Sequence, residues 1–176
     1  MSPSPPSPKP AAPLGSRADQ RPPLQQLASL AQFATLVDRQ LGQCRRLDLR
    51  AAVLLIEIEP PPARGGAALQ QAIGARLSGR VRGSDLVVRV GERQFGLVLV
   101  GAGRAEGETV RARLHQALGG PYGVDAARLY VGLHMGLAVY REHGRSGRDL
   151  VQAVEAALRQ GAAAPAALSV VRGGAS

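Results

Sequence analysis

The sequence is poor in cysteine, lysine and aromatic residues, and each shortage excludes something. Cys44 is the only cysteine, which excludes a disulfide framework and fits a reducing compartment, so a cytoplasmic location is expected. Tryptophan is absent and aromatic residues make up 3% of the chain. The core must therefore be Leu, Val and Ala, and a stack of aromatic side chains against nucleic-acid bases is excluded. No apolar stretch reaches the roughly 18 residues needed to span a bilayer. The N-terminus also lacks the apolar segment of a signal peptide. Lys9 is the only lysine, yet the net charge is +9 over 176 residues, so the positive charge is almost all arginine. Two readings of that charge stand: an anionic partner, or a composition that encodes Arg in place of Lys.

What is present is a clear order of elements. Residues 1–23 are rich in Pro and Ser and lack periodic apolar positions, which predicts a disordered, semi-extended tail. From Leu24 the pattern changes, and residues 24–173 read as one domain. Leu27, Leu30, Phe33, Leu36, Val37 and Leu41 recur at helical spacing. AAVLLIEI (51–58) reads as a buried strand ended by Pro60-Pro61-Pro62, and a helix is expected over about Ala67–Ser78. Leu86–Val90 and Gln94–Val100 are strand-like runs joined by a short turn, a hairpin signal. A helix with Val110, Leu114 and Leu118 on one face follows, ending at Gly119-Gly120-Pro121. A strand over Arg128–Tyr140, a helix over about Gly147–Gln160 and a possible last strand at 167–172 complete the order. Strands and helices alternating around a central hairpin predict an α/β (α+β) sandwich, a mixed central sheet of about five strands covered by helices.

The stretches AAVLLIEIE, RGSDLVVRVGERQFGLVLV and VGLHMGLAVYREHGRSGRDLVQAVEAAL together resemble GGDEF domains, the diguanylate cyclases that make cyclic di-GMP from two GTP. The resemblance runs from about Leu24 to Gln160 and implies a nucleotide-cyclase-like fold. Gly136-Leu137-Ala138 followed by Tyr140 matches the family's last strand. At the signature, Gly91 matches the first Gly and Phe95 the Phe, whereas Glu92 stands for the second Gly, Arg93 for the metal-binding acid and Gln94 for the Glu. Glu57 lies at the strand-end metal position, where pairing with Arg93 or Arg64 is expected. PPPARGG replaces the family's helix start and lacks its Lys and Asn-Asp groups. Phosphoryl transfer relies on Mg²⁺ to neutralise developing charge, and a cation at Arg93 repels it. A degenerate domain is expected, with no catalytic residue, no metal and no cofactor.

Many cyclases carry a product-binding Arg-x-x-Asp five residues before the signature, and Arg82-Gly83-Ser84-Asp85 sits at that distance. The resemblance implies cyclic di-GMP binding by Arg82 and Asp85 with Gly83 and Ser84 in the turn, by Arg113 from the following helix, and by Arg80. The chemistry fits: an arginine fork can donate to the O6/N7 edge of guanine or to phosphate, and a carboxylate can accept guanine N–H groups. The other reading has Asp85 capping a turn and pairing with Arg80 or Arg82 at the surface. The tetrapeptide alone is a weak signal, because Arg45-Arg46-Leu47-Asp48 has the same spacing. His115, His134 and His143 show no metal-ligand spacing, and Gly101-Ala102-Gly103 reads as a turn. Three functions follow: a cyclic di-GMP receptor that signals to a protein partner or a second copy, a ligand-free scaffold, or a cyclase with residual activity.

Overall fold

The computed structural model describes residues 23–59 and 66–163. The tail at 1–22 and the possible strand at 167–172 lie outside them. The elements run β1 (Gln25–Leu27), α1 (Leu30–Arg46), β2 (Ala51–Glu59), α2 (Gly66–Ser78), β3 (Leu86–Val90), β4 (Gln94–Val100), α3 (Arg104–Leu118), β5 (Tyr122–Val124), β6 (Ala127–Leu129), β7 (Gly132–Val139) and α4 (Gly147–Ala163). Five strands form one mixed sheet in the order β1-β3-β4-β2-β7, with β5 and β6 as a separate pair. This is the mixed α/β architecture that the alternation of elements predicts.

Alternation along the central strand β2 explains the two layers. Ala52, Leu54 and Ile56 pack on Leu69, Ile73 and Leu77 of α2 and on Leu114 and Leu118 of α3. Val53 and Leu55 face the other way, onto Phe33, Val37 and Leu41 of α1 and Leu150, Val154 and Leu158 of α4. β2 is thus apolar on both faces, as a strand covered by helices on both sides must be.

Two expectations are corrected. Leu27 is buried, but in β1, not in the first helix: β1 runs parallel to β3, and Gly91 N–H donates to Leu27 O at 2.9 Å. The helix starts after Ser29, whose hydroxyl accepts from Gln32 N at 3.3 Å while Gln32 Oε1 accepts from Ala28 N at 2.8 Å. That Ser-x-x-Gln pair is a start signal that overrides the continuing apolar spacing. The strand expected at Arg128–Tyr140 is also two strands. Asp125 and Ala126 both take positive φ, 49° and 60°, which turns β5 back along β6 in the manner of a tight hairpin. Tyr130, 62% exposed, lies at the break before β7.

Gly136 lies hard against the backbone of α4. A Cβ there would meet the Val154 carbonyl, Leu158 N at 2.7 Å and Leu158 Cα at 3.2 Å. All are backbone atoms of α4 and cannot rotate away. Gly136→Ala should therefore push α4 off the sheet and destabilise the protein by about 2–3 kcal/mol or more, measured by urea unfolding.

Candidate functional site

Two loci lie at opposite ends of the β3–β4 hairpin, separated by a strand of five residues, roughly 17 Å. At one end Gly91 holds φ +60° and a Cβ there would meet open space, so its backbone conformation, not crowding, calls for glycine. The loop Gly91-Glu92-Arg93 is fastened on three sides: Gly91 N–H to β1, Gln70 Nε2 donating to Glu92 O at 2.7 Å, and Ile58 N donating to Arg93 O at 2.9 Å. Both the Glu92 and Arg93 side chains are exposed.

The antiparallel register sets Glu57 opposite Gln94 on β4 and His134 on β7. Gln94 Nε2 donates to Glu57 Oε2 at 2.9 Å, and His134 Nε2 lies 3.1 Å from Glu59 Oε1. The Arg93 half of the pairing expected for Glu57 is not found among the described residues, and the Arg64 half falls outside them. Among the described residues the hydrogen-bond partner of Glu57 is Gln94. Among the described residues no three His, Cys, Asp or Glu side chains group to hold a metal. Mg²⁺ demands near-octahedral oxygen ligands. Among the described residues, a carboxylate bonded to an amide and a second beside an imidazole do not make up that set.

Sequence reasoning missed the support behind this tip. Gln70 on α2 accepts from Arg89 Nη2 through its side-chain oxygen while its amide holds Glu92 O. Arg89 Nε is buried with no hydrogen-bond partner among the described residues. Arg89 was visible as the one charged residue in Val87-Val88-Arg89-Val90, but its partner on α2 carried no sequence signal.

At the other end the segment at 82–85 is a closed turn. Asp85 N donates to Arg82 O at 3.1 Å, and Arg82 N donates to Asp85 Oδ2 at 3.0 Å. Asp85 Oδ1 accepts from Val100 N at 3.2 Å, at the end of β4. Each carboxylate oxygen thus takes one backbone N–H and keeps lone-pair capacity for another donor. The turn-capping reading of Asp85 holds; its pairing with the Arg80 or Arg82 side chain does not, among the described residues. Arg82, Gly83 and Ser84 are exposed. The Arg82 guanidinium makes no hydrogen bond or ion pair with the described residues.

Arg113 reaches this turn from α3, its Nη2 donating to Arg80 O at 3.1 Å. Arg80 is fixed here by its carbonyl. Arg111, the neighbouring candidate, pairs instead with Glu108 at 2.6 Å. The fold therefore gathers Arg80, Arg82, Asp85 and Arg113 at the end of the hairpin remote from Arg93.

A family described as "Diguanylate cyclase, GGDEF domain" matches residues 63–166, more than half of the chain. The chain belongs to the GGDEF family. No curated protein matches the sequence. Among solved structures, the GGDEF domain here resembles a sensory box/GGDEF family protein of Caulobacter crescentus with a TM-score of 0.70 at 20% identity, over 79% of this chain and 93% of that one. Diguanylate cyclase SiaD of Pseudomonas aeruginosa, solved in complex with its activator SiaC, gives a TM-score of 0.68 at 17% identity over 82% of this chain and 58% of that one. The GGDEF domain of DgcB from Caulobacter crescentus, solved in complex with c-di-GMP, gives 0.59 at 12% identity over 76% and 84%. At these identities the likeness concerns the fold. The hairpin of this GGDEF domain reads Gly91-Glu92-Arg93-Gln94-Phe95.

Removing the Asp85 carboxylate would free the N–H groups of Arg82 and Val100 together. Asp85→Ala should lower stability by about 1–3 kcal/mol, measured by urea unfolding, with Ser84→Ala as a control that leaves stability unchanged.

Proposed function

We propose that this GGDEF domain is a catalytically silent receptor for cyclic di-GMP. The observation that carries the reading is the closed turn at 82–85, with an exposed Arg82 guanidinium that no described residue engages and Arg113 bonded to Arg80 O just ahead of it. A planar guanidinium donates two parallel bonds to guanine O6 and N7 or to a phosphate. Asp85 fixes the turn from which Arg82 projects, and its remaining lone pairs accept guanine N–H groups. Arg113 adds positive charge for the phosphodiester. Arg80, on the same loop, is available to a second, stacked dinucleotide. DgcB, which shares the fold, has been solved with this dinucleotide bound.

Silence follows from the other end of the hairpin. Two GTP bring their own negative charge, and phosphoryl transfer needs it neutralised by metal as the transition state forms. Glu57 and Glu59 face Gln94 and His134, and Arg93 stands at the signature position that the resemblance assigns to the metal-binding acid. At about 4 Å, two unit charges of like sign repel by about 4 kcal/mol near a protein surface. Occupancy of the turn is then the signal, transmitted only as far as the dinucleotide prefers one state of the domain and a protein partner, or of two copies, over another.

Calorimetry with cyclic di-GMP tests the reading. The wild-type domain should release or absorb heat on binding, Arg82→Ala should show none, and Arg113→Ala should bind about tenfold or more weakly, the usual loss for one hydrogen bond to a charged group. Incubation with GTP and Mg²⁺ should yield no cyclic di-GMP. Absence of heat with the wild-type chain would remove the receptor role, and product formation would remove the silence.

A further inference from the structure

Arg45-Arg46-Leu47-Asp48 has no part in the dinucleotide reading. Arg45 and Arg46 fill the last turn of α1, where cations suit the helix dipole. Leu47 closes the helix through its backbone, its N–H donating to Gln43 O at 3.2 Å. Its side chain is 69% exposed, whereas Phe33, Val37 and Leu41 of the same helix are fully buried. Nothing in the core requires a leucine there.

The surroundings of Leu47 form one continuous rim. Val100 N donates to Asp85, Gly101 N to Arg50 O at 2.7 Å, and Tyr140 N to Ala51 O at 2.9 Å. The ends of β3, β4, β2 and β7 therefore line up over three strand spacings, roughly 14 Å. Arg45 Nη1 reaches from α1 to Arg145 O at 3.3 Å, which joins this rim to the loop before α4. The acids along it are already engaged. Asp48 pairs with Arg141 at 3.1 Å and Glu142 with Arg104 at 2.6 Å, while Asp149 accepts the N–H groups of Arg145 and Ser146. Arg45, Arg46, Arg145 and Arg148 are exposed, and none pairs with a carboxylate among the described residues.

We propose that this rim docks on an anionic lipid bilayer, with Arg45, Arg46, Arg145 and Arg148 against headgroup phosphates and Leu47 entering the interface. The four arginines come from two elements, the last turn of α1 and the loop and first turn of α4, joined where Arg45 Nη1 meets Arg145 O, and positive charge drawn from two elements matches an extended negative surface. A large apolar side chain among them gains only where hydrocarbon is at hand. Each arginine near such a surface contributes about a fivefold factor in affinity, so docking by this set is reversible. The dinucleotide site uses other side chains, Arg82 and Arg113.

Sedimentation of the full chain with vesicles separates the possibilities. Vesicles of phosphatidylcholine with about one-third phosphatidylglycerol should bind it at low salt, and binding should fall as salt screens the charges. Arg45→Ala and Arg46→Ala should each weaken binding about fivefold, and Leu47→Ser should weaken it at unchanged charge. Equal binding to pure phosphatidylcholine, or none to the anionic vesicles, would overturn the proposal. So would unchanged affinity in Leu47→Ser, which would mark the rim as a binder of polyanions in general. The same variants keep cyclic di-GMP heats at wild-type values if the two sites are separate. A result against lipid therefore leaves the receptor reading intact.

Discussion

The carboxylate of Asp85 ties together the two things this domain needs at one end of its hairpin. One oxygen accepts from Arg82 N and closes the turn; the other accepts from Val100 N, where β4 ends. The first contact shapes the loop that presents Arg82. The second fixes where β3 begins against β4, and through β4 the register of β2, since Leu86 pairs with Val98 and Val53 with Val98 in turn. A one-residue slip would turn every apolar side chain of these strands to the opposite layer. The same acid is thus a structural anchor and the base of the candidate binding turn.

That register has consequences at the far end. It brings Gln94 opposite Glu57 and His134 opposite Glu57 on the other side, so the carboxylates of β2 meet an amide and an imidazole. The hairpin tip is held to β1, β2 and α2 by backbone and amide contacts that ignore the identity of the Glu92 and Arg93 side chains. Fold and hairpin geometry therefore tolerate an arginine at the third signature position, because nothing structural depends on an acid there. With β3 standing between them, the tip and the turn are structurally separate loci.

Much of this was legible in the sequence, for identifiable reasons. Runs such as AAVLLIEI and the paired strands around Gly91 announce themselves through length and apolarity. The illegible parts rest on weaker signals. Leu27 continues the helical spacing of α1, and only Ser29 with Gln32 marks the true start. Asp125-Ala126 turns a hairpin without the glycine that usually advertises one. The partners of Glu57, Arg89 and Asp85 come from strand pairing and helix packing, and a linear sequence carries no direct record of either.

The division of labour between the two ends is best tested by amide chemical shifts. In a two-dimensional NMR titration with cyclic di-GMP, the account predicts movement of the amides of residues 80–85 and of those around Arg113, with the amides of Gly91, Glu92, Arg93 and Gln94 unmoved. Shifts centred on the hairpin tip, or no shifts in either group, would contradict it.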